Sequence, residues 1–150
     1  MDRYFRYPRI ITILNKYKNF DYIRLKNINK RKTKFCAAVT SNYKYSNKFR
    51  INFISELNKY KRVDMAGKYK NNVGNISNKI KFLTSYKFSI AMENTEADGY
   101  ASEKIVQSFL AGTIPIYYGD YMIDEYINPK SFILIRGVKD MLQKIEYIKK

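Results

Sequence analysis

Between Glu93 and Lys104 the chain gathers the residue types that hold an anion. Ser102 has the side chain of a helix cap, and Glu103 and Lys104 follow it directly. A helix opening there presents unpaired backbone N–H groups and the positive end of its dipole, a natural seat for phosphate. Lys104 stands in the first turn, where the dipole favours an anion. A cation against that preference points to a bound negative group, the plain alternative being a lysine directed into water. Glu103 suits the dipole and can also accept hydrogen bonds from sugar hydroxyls. Asn94 and Tyr100 flank the same loop, within reach of a ribose or a base. A second cation, Arg50, follows another loop, Ser41 to Lys48.

These residues need a scaffold that brings two loops to one edge. Phe35-Cys36-Ala37-Ala38-Val39 is a short apolar run, as in a strand buried on both faces. Phe49, Phe53, Leu57 and Tyr60 recur at helical spacing. Val63-Asp64-Met65 reads as a strand that turns at Ala66-Gly67. Ile76, Ile80 and Leu83 mark a helix with Asn75 or Ser77 near its start. Phe88 to Met92 is another strand, and a loop from Glu93 to Ala101 leads to Ser102. Ile105, Val106, Phe109 and Leu110 form a helix face that stops at Gly112. Ile114 to Gly119 reads as a strand, with Pro115 near its start or at a sheet edge. A short helix over Met122 to Tyr126, a strand Phe132 to Ile135 and a helix from Val138 to Ile148 complete the order. Alternation of this kind predicts an α/β fold, a Rossmann-like parallel sheet with helices on both faces. Ligands then bind beyond the carboxyl ends of the strands, where both loops would lie.

Composition narrows the chemistry. The 150 residues contain no histidine and one cysteine, Cys36. A Ser-His-Asp triad, a His–Cys zinc site and an internal disulfide are excluded. Neither a G-x-G-x-x-G nor a P-loop pattern occurs. The formal charge is +16, from 29 Lys and Arg against 13 Asp and Glu, which favours anionic partners. The chain is also crowded with Lys, Asn, Ile and Tyr, residues of A/T-rich codons, so genome composition explains much of that charge. With 15 tyrosines for stacking, a basic nucleic-acid-binding module is the alternative reading. Against it, the charges are spread along the whole chain and no RRM, KH or helix-turn-helix pattern is visible. Residues 1–33 are irregular and basic, with Arg24, Lys26, Lys30, Arg31, Lys32 and Lys34 as the densest run. They read as a linker or solvated arm, with a membrane- or nucleic-acid-binding patch as the alternative. No apolar run reaches the roughly 18 residues of a membrane span, and the start lacks the apolar core of a secretory signal. The location expected is cytoplasmic, peripheral to a membrane if the arm binds one.

Several spaced segments resemble glycosyltransferase family 10, the α-1,3/α-1,4-fucosyltransferases. They are Lys87-Phe88-Ser89-Ile90-Ala91-Met92-Glu93-Asn94, Gly99-Tyr100-Ala101-Ser102-Glu103-Lys104-Ile105 and Ala111-Gly112-Thr113-Ile114-Pro115-Ile116-Tyr117-Tyr118-Gly119. Asn128-Pro129-Lys130-Ser131-Phe132-Ile133, Val63 to Tyr69 and Asn71 to Gly74 also match the family pattern, and residues 2–8 resemble the stretch before its domain. Met92 stands where the family has Phe, Ser102 where it has Thr, and Ala66 where it has Gly.

The resemblance implies the C-terminal half of a GT-B-type glycosyltransferase, with 34–150 as the nucleotide-sugar-binding domain and 1–33 as a linker or remnant of the acceptor domain. It implies inverting transfer of L-fucose from GDP-fucose to a hydroxyl of a glycan acceptor. Lys104 and Arg50 would neutralise the diphosphate, with Glu103 on ribose or fucose hydroxyls and Asn94 and Tyr100 lining the nucleotide pocket. The match at Arg50 involves a two-residue difference in loop length. No D-x-D motif is present, in keeping with a metal-independent site that needs no cofactor beyond the donor substrate. The family's general base belongs to the acceptor domain, so none is expected in this chain. A catalytically inactive fragment and a transferase for another GDP-sugar are the readings to set beside it.

Overall fold

Successive side chains of a strand point to opposite faces of a sheet, so a strand covered on both sides must be apolar at every position. The middle of β1 (Lys34–Thr40), from Phe35 to Val39, meets that demand. Cys36 and Ala38 join one apolar cluster, and Ala37 joins another, with Val39 packed against it. The computed structural model describes residues 13, 15, 16, 32–41 and 48–150. Most of the basic segment 1–33, and residues 42–47 of the loop before Lys48, lie outside the described residues.

The elements after β1 are α1 (Lys48–Tyr60), β2 (Val63–Gly67), α2 (Lys79–Leu83), β3 (Tyr86–Ile90) and α3 (Glu103–Leu110). Then come β4 (Ile114–Tyr117), α4 (Ile123–Tyr126), a 3₁₀ turn at Pro129–Ser131, β5 (Ile133–Leu134) and α5 (Val138–Lys149). The strands form one parallel sheet in the order β2-β1-β3-β4-β5. Ala38 of β1 sits opposite Met65 on one side and Ile90 on the other.

Helices cover both faces. On one, Phe53, Ile54 and Leu57 of α1 pack with Met141, Ile145 and Ile148 of α5 over Cys36, Ala38, Met65 and Ile116. On the other, Ile105 and Val106 of α3 pack against Tyr117, Ile123 and Phe132, and Leu83 of α2 lies on Ala37 and Tyr86. The α/β sheet with two helical layers expected from the alternating elements is the observed fold.

Several boundaries differ from those read in the sequence. α2 starts at Lys79, and Ile76 lies outside it. The reason is competition among asparagines: Asn78 Oδ1 caps Lys81 N at 2.9 Å, while Asn71 Oδ1 takes the amides of Val73 and Gly74 into the preceding turn. β3 lies two residues earlier than expected. Pairing nonetheless continues past its end, since Ala91 N donates to Ile116 O at 2.9 Å and Glu93 N to Tyr118 O at 2.8 Å. β5 keeps two residues at the sheet edge. Pro115 is the second residue of interior strand β4, so its place is the strand start. Lys32, counted with the basic run, is docked: its ammonium donates to the carbonyls of Thr84, Tyr86 and Ala111 at 3.2, 3.0 and 3.0 Å.

β2 ends where the backbone approaches β1 most closely. Gly67 has φ +97°, and a Cβ there would lie 2.4 Å from the carbonyl oxygen of Thr40. Both the left-handed conformation and the close approach demand glycine. Gly67→Ala should therefore lower stability by about 1–3 kcal/mol, read as an earlier midpoint in urea unfolding.

Candidate functional site

In an open parallel sheet the ligand crevice lies beyond the carboxyl ends of the strands, where the order of succession reverses. Here that point falls between β1 and β3, with β2 on one side and β4 and β5 on the other. The segments leaving these two strands carry Arg50 and the stretch from Glu93 to Lys104.

Glu93 is the centre of the arrangement. Its carboxylate has no exposure to solvent. Oε1 accepts from Ser102 N at 2.7 Å, and Oε2 accepts from Ser102 Oγ and Lys104 Nζ, each at 2.8 Å. Lys104 Nζ also donates to Ser102 Oγ at 3.1 Å. A buried carboxylate is tolerated when donors and a counter-charge replace its water. Both are present, and they hold the first turn of α3 against the end of β3. The room comes from Gly119, where a Cβ would fall 2.6 Å from Glu93 Cγ.

Arg50, in the first turn of α1, is also buried. Its Nη1 donates to Asn94 Oδ1 at 2.9 Å and to Met92 O at 3.4 Å. Burial works against its charge, and the Glu93 carboxylate opposes that loss. Arg50 and Lys104 therefore lie on either side of one short stretch, Met92 to Asn94.

The rest of the loop is fastened to the segment after β4. Tyr118 Oη donates to Glu96 Oε2 at 2.6 Å, while its ring stacks on Phe49 of α1 with centroids 4.2 Å apart. Buried Asp120 accepts from Gly99 N at 2.7 Å, from Met122 N at 3.0 Å and from the Tyr126 hydroxyl. Tyr100 follows Gly99 and is half-buried. Glu103 is exposed at the start of α3.

Of the residues singled out in the sequence, Arg50 and Asn94 are in direct contact, and Lys104 joins them through Glu93. Tyr100 and Glu103 lie on the same loop and helix start. The negative group that Lys104 meets within the chain is Glu93, which sequence reasoning placed in the loop without a role. Its signal was available: a carboxylate nine residues before a capping serine, directly after the apolar run Ile90-Ala91-Met92. Lys79 was also missed. It opens α2, is half-buried, and its ammonium feels the charges of Lys104, Glu103, Glu93 and Arg50. Reading the helix start at Asn75 or Ser77 had hidden its position in the first turn. A separate cavity of about 730 Å³, bounded by Phe88, Ile114, Phe132 and Tyr147, is lined by none of these residues.

Residues 29–150 match the family model described as glycosyltransferase family 10 (fucosyltransferase), C-terminal. The chain belongs to glycosyltransferase family 10. It is 40% identical over 98 residues to an alpha-(1,3)-fucosyltransferase of Helicobacter pylori, covering 65% of this chain and 20% of that protein. A putative fucosyltransferase of Acanthamoeba polyphaga mimivirus is 33% identical over 162 residues, 95% of this chain and 25% of its own length. A crystal structure of an α1,3-fucosyltransferase with GDP-fucose superposes with a TM-score of 0.77 at 34% identity, over 91% of this chain and 40% of that one. A crystal structure of an α1,3-fucosyltransferase with GDP gives the same score. The chain thus spans a fifth to a quarter of these two curated relatives of the family.

Replacing the buried carboxylate by an amide removes the counter-charge of Lys104 and leaves an NH₂ facing donors. Glu93→Gln should cost roughly 1–3 kcal/mol, measured by urea unfolding, and should loosen the start of α3 in amide hydrogen exchange.

Proposed function

We propose that this family 10 chain is the donor-binding part of a fucosyltransferase and seats GDP-fucose at the switch point between β1 and β3. The observation that carries this reading is the convergence there of Arg50, Lys104 and the capped start of α3. Fixed cations and the positive end of a helix dipole on one crevice suit a diphosphate. The likeness to a fucosyltransferase holding GDP-fucose supports the same reading.

In this reading Lys104 and Arg50 lie against the diphosphate. Glu103, exposed beside Lys104, accepts hydrogen bonds from sugar hydroxyls. Asn94 is held by Arg50, and Tyr100 is held by the loop pinned to Asp120; both face the nucleoside. Transfer is an inverting displacement. A hydroxyl oxygen of the glycan acceptor forms a bond to the anomeric carbon of fucose as the bond to the β-phosphate oxygen breaks. The hydroxyl proton goes to a general base, and GDP departs with the electron pair. Charge grows on the leaving phosphate, so cations fixed there stabilise the transition state more than the bound donor. The general base and the acceptor surface are assigned to the partner domain of a GT-B enzyme, outside this chain. A basic nucleic-acid module draws no support from family membership or from the site.

Calorimetry with GDP and GDP-fucose tests the donor reading. Both should bind, and GDP-mannose should compete poorly with GDP-fucose. A hydrogen bond to a charged group contributes about 1.5–3 kcal/mol, so Lys104→Ala should weaken binding by about tenfold or more, in protein whose unfolding midpoint has been checked. No binding of either nucleotide would leave the inactive-fragment reading. The isolated chain should transfer fucose to glycan acceptors slowly or not at all, and rapid transfer would place a general base within it.

A further inference from the structure

Among the described residues the crevice holds three cations, and two of them already have partners. Lys104 is paired with Glu93 at 2.8 Å, and Arg50 donates to Asn94 and Met92. The third is Lys79. It is the first residue of α2, directly after the cap Asn78, and α2 packs on α3, whose first residues are Glu103 and Lys104. Its side chain is half-buried, yet its ammonium makes no hydrogen bond or ion pair with any described residue. An ammonium withdrawn from water without an acceptor is costly, and an anion at the same place would remove that cost. The charged groups around it are Lys104 and Glu103 of α3, Glu93 at the end of β3 and Arg50 of α1. With Lys79 they amount to three cations and two carboxylates, a positive excess that matches an anionic ligand.

We propose that Lys79 is a further donor-binding residue, the third cation on the diphosphate and the one without a partner among the described residues. The proposal rests on the donor reading above. It adds a residue whose type carries a distinct signature, because lysine can give up its proton where arginine cannot. Burial pushes the Lys79 ammonium down to about 8, and Lys104 pushes it the same way. A bound diphosphate favours the charged form and raises that value again. The bound state then holds more protons than the empty one. Binding is strongest below the pKa of the empty site and weakens as pH rises through the pKa of the complex. GDP should therefore bind with uptake of a proton at about pH 8 and above, where its own phosphates are fully ionised.

The test is calorimetry of GDP binding to the chain near pH 7 and near pH 8.5, in buffers of different ionisation enthalpy. Wild type should take up a fraction of a proton near pH 8.5 and much less near pH 7. Lys79→Met, which keeps the aliphatic stem, should bind GDP about tenfold more weakly near pH 7 and take up no proton at either pH. Lys79→Arg keeps the charge without titrating, so it should bind near pH 8.5 as tightly as near pH 7, again without uptake. Tight binding by wild type with no proton linkage, or a Lys79→Met protein that binds like wild type, would overturn the assignment and leave the donor site standing. Failure of wild type to bind GDP at either pH would overturn the donor reading itself.

Discussion

A carboxylate cut off from water must find its solvation within the protein, and Glu93 is such a group. Three donors supply it: the amide and hydroxyl of Ser102 and the ammonium of Lys104. Because two belong to the cap of α3 and one to its first turn, solvating Glu93 fixes where α3 begins relative to β3. The position of Lys104 follows, and so does the direction of the helix start. On the other side, Met92 and Asn94 receive the Arg50 guanidinium, so the same short stretch sets the second cation. An unsatisfied Glu93 would cost several kcal/mol, which makes this arrangement hard to relax by degrees.

The sheet order supplies the space. With β1 and β3 adjacent and their following segments diverging, a crevice opens at the carboxyl edge that no strand fills. The segment after β4 forms one wall. Gly119 leaves room for Glu93, Tyr118 reaches Glu96, and Asp120 grips Gly99. A loop that would otherwise carry much conformational entropy is thereby tied at two points before any ligand arrives. Pre-organisation of that kind suits a site whose task is to hold a charged leaving group in one place.

The overall charge of +16 says less about this site than it first suggests. Lys32, part of the basic run, is committed to three backbone carbonyls, at the far ends of α2 and α3 and at the start of β3. Lys104 is matched by Glu93. What distinguishes the crevice is the local excess left when Arg50, Lys79 and Lys104 meet Glu93 and Glu103, with helix starts facing the same way.

Local pattern was enough for the order of strands and helices, the Ser102 cap and the spaced segments of family 10, because these depend on neighbours a few residues apart. The apolar run at Cys36 to Val39 suits a strand covered on both sides. The boundaries of α2 and β3 were misread, since Asn75, Ser77 and Asn78 offer similar caps and the choice among them depends on how Asn71 turns the chain. Glu93 and Lys79 escaped notice for a related reason. A glutamate after an apolar strand and a lysine at a helix start are ordinary in a one-dimensional list. Their meaning comes from long-range packing, which buries the first beside Ser102 and Lys104 and sets the second, without an acceptor, against the start of α3. Burial and pairing over such separations are properties of the folded chain, and they convert common residue types into a charged crevice.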